Sequence, residues 1–120
     1  IQNEMRDIYS AVQDLYAYVW STSKFQSAEN EQRIASLLER LSGDFHRVER
    51  RNGAAKVDPG FEVTLAANRE LLKDIRSRFS EGNKDYAQWR LRSLVGNCIS
   101  CHTRYQVPID FAGETPTPTG

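Results

Sequence analysis

Four long stretches of this chain carry apolar residues spaced alternately three and four positions apart. That spacing places the side chains on one face of an α-helix, whereas a half-buried strand would repeat every second residue. Proline is nearly absent from these stretches, since Pro59 is the only proline before Pro108. Because proline interrupts helices, the pattern predicts an all-α chain.

Each stretch defines one predicted helix with one apolar stripe. The stripes are Ile1, Met5, Ile8, Val12, Leu15 and Val19; Ile34, Leu37, Leu38, Leu41, Phe45 and Val48; Phe61, Leu65, Asn68, Leu72, Ile75 and Phe79; and Ala87, Leu91, Leu94, Cys98, Cys101 and Tyr105. Four amphipathic helices of about twenty residues, joined by short loops, predict an antiparallel four-helix bundle. Gly43 marks a point where the second helix could kink or break.

Residues 52–58 form the longest predicted connection inside the bundle. Asp58 is the predicted N-cap of the third helix, with Pro59 at its first position, and Gly82 is its predicted stop. Asn83 should start the last helix, which should end before Pro108. We expect one domain over residues 1–109, followed by a Pro/Thr-rich tail over 110–120 that is disordered or serves as a linker.

The charge and hydropathy of the chain limit the kinds of partner that it is expected to bind. The 120 residues include 16 Lys and Arg against 16 Asp and Glu, so neither a nucleic acid nor an anionic membrane is expected as the main partner. Mean hydropathy is −0.62 and no apolar run reaches the length of a bilayer span, so no transmembrane segment is expected. The chain starts at Ile1 without a signal peptide, as expected of a processed or trimmed protein.

Both cysteines lie in Cys98-Ile99-Ser100-Cys101-His102, the C-x-x-C-H pattern of covalent c-type haem attachment. On a helix, positions three and four apart project from one face. The two thiols can then add to the two haem vinyl groups while the His102 imidazole binds the iron. The motif therefore predicts one covalently attached haem c, with His102 as the proximal ligand.

Three other interpretations of the same residues are weaker. A thioredoxin-like redox pair needs a βαβ context that is absent, and a disulfide between positions i and i+3 of one helix would be strained. A zinc site needs four ligands, and only His46 or an acidic residue could complete one.

Because haem c is attached on the outer side of an energy-transducing membrane, we expect a bacterial periplasmic location.

The second axial position of the iron decides the function. Met5 is the only methionine and lies on the first apolar stripe, where it is either a core residue or the distal ligand. His46 would instead give a bis-histidine haem, although a histidine beside Phe45 on the flank of the second helix is also expected at the edge of the core or on the surface.

The chain resembles the class II c-type cytochromes, the cytochrome c prime superfamily, over residues 1 to about 108. The resemblance rests on C-x-x-C-H in the last helix, on Tyr105 three positions after the histidine, and on the run Met5-Arg6-Asp7. It implies thioether links at Cys98 and Cys101, His102 as proximal ligand and, as in the low-spin branch, Met5 as distal ligand. Gln106 replaces a basic residue that the family often carries four positions after the histidine.

Several other side chains have two interpretations each. Arg6, Arg90, Arg92 or Arg104 could pair with haem propionates or be solvated. Asn68 could hydrogen-bond within a haem pocket or set the bundle register. The aromatic flank of Tyr9, Tyr16 and Trp20 either widens the core or forms a partner or homodimer surface.

The sequence thus predicts a monohaem c-type cytochrome that transfers single electrons between redox protein partners and is not an enzyme. Two alternatives remain. A five-coordinate iron would bind nitric oxide or carbon monoxide, and a true linker at residues 110–120 would make this the haem domain of a larger redox protein.

Overall fold

A computed structural model describes residues 2–55 and 59–105. Within these ranges the chain forms five α-helices and one 3-10 turn and contains no strand. The elements are α1 (Gln2–Val19), α2 (Thr22–Gln26), the turn Ala28–Asn30, α3 (Glu31–Ala55), α4 (Pro59–Ser80) and α5 (Lys84–Tyr105). The all-α prediction is confirmed, and the four long helices form a bundle.

The expected number of helices was wrong, because α2 occupies the connection between the first two predicted helices. Five residues are too few to show a helical repeat. Ser21 caps this helix by accepting a hydrogen bond from the backbone N–H of Lys24 at 3.3 Å. Phe25 is fully buried and meets Phe79 edge to face, with ring centroids 5.4 Å apart. A single buried ring therefore holds α2 across one end of the bundle.

The predicted apolar stripes form the core. Every stripe member whose side chain the structure describes is buried, from Met5 on α1 to Cys98 on α5. The polar member Asn68 is buried with them and is only 4% exposed. Burial of these stripes against one another supplies the main stabilisation of the bundle, at about 25 cal/mol per Å² of apolar surface.

Surface pairs record which helices are neighbours. Arg40 of α3 lies 3.1 Å from Asp14 of α1, and Arg51, further along α3, lies 3.0 Å from Glu4. Other pairs join α3 to α4 (Arg69 to Glu49, 2.7 Å) and α4 to α5 (Tyr86 to Asp74, 2.6 Å). Exposed pairs of this kind contribute little stability, so they serve here as markers of register.

The first and last long helices are joined by hydrogen bonds to one carbonyl. Gln88 Nε2 and Arg92 Nε donate to the backbone oxygen of Val19 at 3.0 and 3.1 Å. This oxygen belongs to the last turn of α1, where carbonyls lack partners within the helix. Two side chains of α5 thus satisfy the end of α1 and fix the two helices relative to each other.

The helix ends agree with the predictions in most places. α4 begins at Pro59, as predicted, and ends in a Schellman motif, in which Gly82 N donates to Phe79 O at 3.1 Å and Asn83 N to Arg78 O at 2.9 Å. Gly82 has a φ of 87°, in the left-handed region that glycine adopts most readily. The predicted stop is confirmed.

The connection predicted over residues 52–58 was wrong in its first half. α3 runs without interruption through Gly43 and on to Ala55, so residues 52–55 are helical. One glycine lowers helix stability by only about 1 kcal/mol, which the buried stripe of α3 offsets. The predicted N-cap Asp58 and the predicted tail over 110–120 lie outside the described residues. None of the described helices is long and apolar enough to span a membrane.

Replacing Gly82 with alanine should lower the free energy of unfolding by about 1–2 kcal/mol, because an L side chain is disfavoured at positive φ. The change is measured by urea denaturation. Gly43→Ala is the matched control. Its added Cβ would meet only Arg47 at 3.6 Å, so that variant should gain up to about 1 kcal/mol from helix propensity. A destabilisation of equal size at both positions would contradict this account.

Candidate functional site

The C-x-x-C-H segment lies within α5, whose helix continues to Tyr105. The predicted helical placement of the motif is therefore confirmed. Cys98 is buried, with 3% of its surface exposed, and belongs to the core of the bundle. The side chains of Cys101, His102 and Tyr105 lie outside the described residues, so their roles stay predictions.

Met5 lies in the same core. It is 4% exposed on α1, in the core with Ile8 one turn further along the helix. A core methionine and an iron ligand both require burial, so its ligand role stays a prediction. Its thioether is held inside the bundle, away from bulk water.

His46 is exposed, although its neighbour Phe45 on α3 is buried. The side chain lies on the outer side of the helix. This placement agrees with the surface interpretation of His46 and does not support a bis-histidine iron.

A polar contact lies directly before the C-x-x-C-H segment. The Asn97 amide donates from Nδ2 to Oδ1 of buried Asn68 at 3.0 Å. Asn68 thereby holds α4 against α5 one residue before Cys98. The sequence pattern singled out Asn68 as a polar intruder in an apolar stripe, but it missed Asn97, which lies on no apolar stripe and carries no periodic signal.

Two of the four arginines considered for haem propionates are engaged elsewhere. Arg90 lies 3.6 Å from Asp74, and Arg92 donates to Val19 and stacks on Trp20. Both precede Cys98 by more than one helical turn. Arg6 is exposed on α1, one residue after Met5, and Arg104 lies beyond the described side chains.

A carboxyl group is buried in the middle of α3. Asp44 is 1% exposed and pairs with Arg47. Burial raises the pKa of Asp44, and nearby Asp7 raises it further, while Arg47 and Arg40 oppose the shift. Its Oδ2 has no hydrogen-bond partner among the described residues. This buried carboxyl was not predicted from the sequence, because Ser42-Gly43-Asp44 has the composition of a helix break rather than of a core.

An open cleft of about 590 Å³ lies elsewhere, between the start of α3 and the end of α4. Its lining mixes acidic, basic and aromatic side chains, including Glu31, Arg76 and Phe79. No group of three His, Cys, Asp or Glu side chains within the described ranges could hold a metal ion. The candidate site is the one that the sequence predicts, the C-x-x-C-H motif on α5 together with Met5 on α1.

Comparison with known proteins finds no relative. No protein-family model, curated protein or solved structure matches this chain. The assignment of function therefore rests on the motif, on its helical placement and on the side chains that the fold brings near it.

Substituting Asp44 with asparagine should stabilise the protein increasingly as the pH rises. A raised folded-state pKa means that ionising Asp44 costs the folded state more than the unfolded state. The stability that protonated Asp44 contributes is present below the ordinary pKa of 3.8 and is lost as the pH rises through the higher folded-state pKa. The gain of Asp44→Asn over the parent should therefore grow from pH 3.8 towards neutrality.

Urea unfolding at a series of pH values measures this difference. Asp14→Asn is the control, because it removes the same charge from a side chain that is 41% exposed. A gain for Asp44→Asn that stays constant with pH, or that falls as the pH rises, would show that burial does not govern this carboxyl.

Proposed function

We propose that this protein is a monohaem c-type cytochrome that carries single electrons between protein partners. Haem c would be attached through Cys98 and Cys101, with His102 and Met5 as axial iron ligands. The observation that carries the proposal is the C-x-x-C-H motif on a long helix whose first cysteine is buried in the bundle core. The protein would act as a carrier rather than as an enzyme.

We propose an antiparallel arrangement of the four long helices. The pairs between α1 and α3 support it, because later positions on α3 meet earlier positions on α1: Arg40 meets Asp14, and Arg51 meets Glu4. The pairs between α4 and α5 follow the same order, since Asn97 meets Asn68 while Tyr86 meets Asp74. Such an arrangement brings the start of α1 towards the end of α5.

The same register supports Met5 as the distal ligand. Met5 precedes Val19 by about 21 Å along α1, at 1.5 Å per residue. An equal distance along α5 from Gln88 and Arg92, which bind the Val19 carbonyl, reaches roughly residues 102–106.

The contacts through α3 and α4 give a second, independent estimate of which part of α5 lies beside the start of α1. They run from Glu4 to Arg51, from Glu49 to Arg69 and from Asn68 to Asn97. They end one residue before the motif, so the two estimates bracket Cys98–His102. Met5 is thus the residue of α1 expected to face the motif.

The donor set suits a haem. A thioether on α1 and a thiol on α5 are both buried among apolar side chains that include Ile8, Leu65 and Val95. When bound, the haem would supply the iron that alternates between the ferric and ferrous states. The protein would hold its two thioether links on one helix, and the soft sulfur of Met5 would favour the ferrous state.

The contact between Asn97 and Asn68 has a role in this proposal. It ties the residue before Cys98 to the buried side chain of Asn68 on α4, which limits rotation of α5 at the attachment site.

Because haem is attached to such proteins outside an energy-transducing membrane, we also propose a bacterial periplasmic location.

Acid–acetone extraction tests the covalent attachment. The haem should stay on the polypeptide of the parent protein, because thioether bonds survive acid. The double variant Cys98→Ala, Cys101→Ala should release any haem that it retains into the organic phase. Release of haem from the parent protein, or the absence of haem from material matured in a periplasm, would contradict the proposal.

Met5→Leu tests the distal ligand. Leucine keeps the apolar volume, so the change in packing alone should cost less than about 1.5 kcal/mol of stability. The parent should be low-spin and bind carbon monoxide weakly, whereas the variant should be high-spin, bind carbon monoxide readily and have a lower reduction potential. Absorption spectra of both oxidation states and a redox titration measure these changes.

Ile8→Leu is the control, because it repacks the next turn of the same stripe without touching a sulfur, and it should retain the low-spin spectrum. A parent protein that is high-spin in both oxidation states would make Met5 a core residue. The protein would then be a binder of nitric oxide or carbon monoxide instead of an electron carrier.

A further inference from the structure

A strip of aromatic rings crosses α1 and α5 on the surface of the bundle. Its members, here called the aromatic belt, are Tyr16, Trp20, Arg92, Trp89 and Tyr86. The rings of Tyr16 and Trp20 lie 5.9 Å apart, and those of Tyr86 and Trp89 lie 6.1 Å apart. The Arg92 guanidinium lies 5.3 Å from the centre of the Trp20 ring. Trp89 and Arg92 are three positions apart on α5 and so are neighbours on one face.

Both tryptophans of the chain lie in the belt, and both are exposed. Trp20 is 50% exposed and Trp89 is 61% exposed, while Tyr9 on the same flank of α1 is buried. The flank noted in the sequence is therefore divided between core and surface. Tryptophan, tyrosine and arginine are the residues that contribute most binding energy at protein interfaces.

The belt is held in place before any partner arrives. Arg92 Nε is bound to the Val19 carbonyl at 3.1 Å, which fixes the guanidinium over Trp20. Tyr86 donates its hydroxyl to Asp74 at 2.6 Å. A surface whose side chains are already ordered loses less conformational entropy when it binds.

The charge of the belt indicates the kind of partner. Arg78 and Arg90 each lie within ion-pair distance of Asp74. No carboxylate of the described residues lies that close to Arg92. Residues 86–105 contain three arginines and no Asp or Glu, although the whole chain has no net charge. Half-buried Arg92 therefore has no carboxylate partner among the described residues, its guanidinium lies over exposed Trp20, and exposed Trp89 lies one turn away on the same helix.

We propose that the aromatic belt docks an acidic surface of another protein. Carboxylates of the partner would pair with Arg92, and its apolar side chains would pack against Trp20 and Trp89. A symmetric contact between two copies of this chain would instead bring two belts together, and each belt carries Arg92 and no Asp or Glu of its own. The proposal does not depend on the haem, so it can fail or succeed separately from the proposed function.

Proton–nitrogen NMR of the intact protein tests the proposal. The chain has two tryptophans, so its spectrum should show two indole N–H peaks, which Trp20→Phe and Trp89→Phe assign. Two synthetic peptides serve as probes, with the same leucine and phenylalanine anchors and flanked by glutamates in one and by lysines in the other. Both indole peaks should shift on titration with the glutamate peptide, and not with the lysine peptide.

Trp89→Ala and Arg92→Gln should each weaken binding of the glutamate peptide by about tenfold or more. Arg33→Gln is the matched control, because it removes the same charge from an exposed position on α3, and it should leave the affinity within about twofold. Added salt should weaken the binding.

Four results would overturn the proposal. They are equal binding of both peptides, no shift with either, an equal loss in Arg33→Gln, and indole peaks that depend on protein concentration alone. The last would show that a second copy covers the belt.

Discussion

The hydrogen bonds from Gln88 and Arg92 to the Val19 carbonyl close the bundle between its first and last helices. Burial of the apolar stripes holds the four helices together, but it does not by itself fix their register along the helix axis. The hydrophobic effect is non-directional, and one leucine packs nearly as well as the next. The two hydrogen bonds to the Val19 carbonyl do fix this register, because they form only when Gln88 and Arg92 lie beside it. They set how far along α5 the end of α1 lies, and therefore which part of α5 faces Met5.

The periodic part of the fold was predictable from sequence because it depends on a local repeat. Every stripe member whose side chain the structure describes is buried, and the stop at Gly82 follows from the conformational freedom of glycine. The short helix α2 was not predictable, since its one buried residue, Phe25, gives no repeat. The extension of α3 to Ala55 was missed because Gly53 is a loop signal in a sequence, although one glycine lowers helix stability by only about 1 kcal/mol.

The candidate site was predictable to a different degree at each residue. The C-x-x-C-H motif is a signal that needs no structure, and its position on a helix followed from the stripe that contains Cys98. Met5 was identifiable as the sole methionine, but the register that would bring it towards the motif in the proposed arrangement depends on contacts distant in sequence. Asn97 and Asp44 were missed, because a polar group acquires its role from what the fold places beside it.

The seam between α1 and α5 has a mechanical consequence. These two helices are the least closely packed of the neighbouring long pairs, and their described hydrogen bonds all lie at Val19. The hydrogen bonds between the two helices therefore lie at the end of α1, and Met5 lies near its start. A change of one degree in the tilt of α1 about Val19 would correspond to a displacement of about 0.4 Å at Met5, because roughly 21 Å of helix separates Met5 from Val19. The two hydrogen bonds at Val19 therefore help to fix the position of Met5, although they lie at the opposite end of α1.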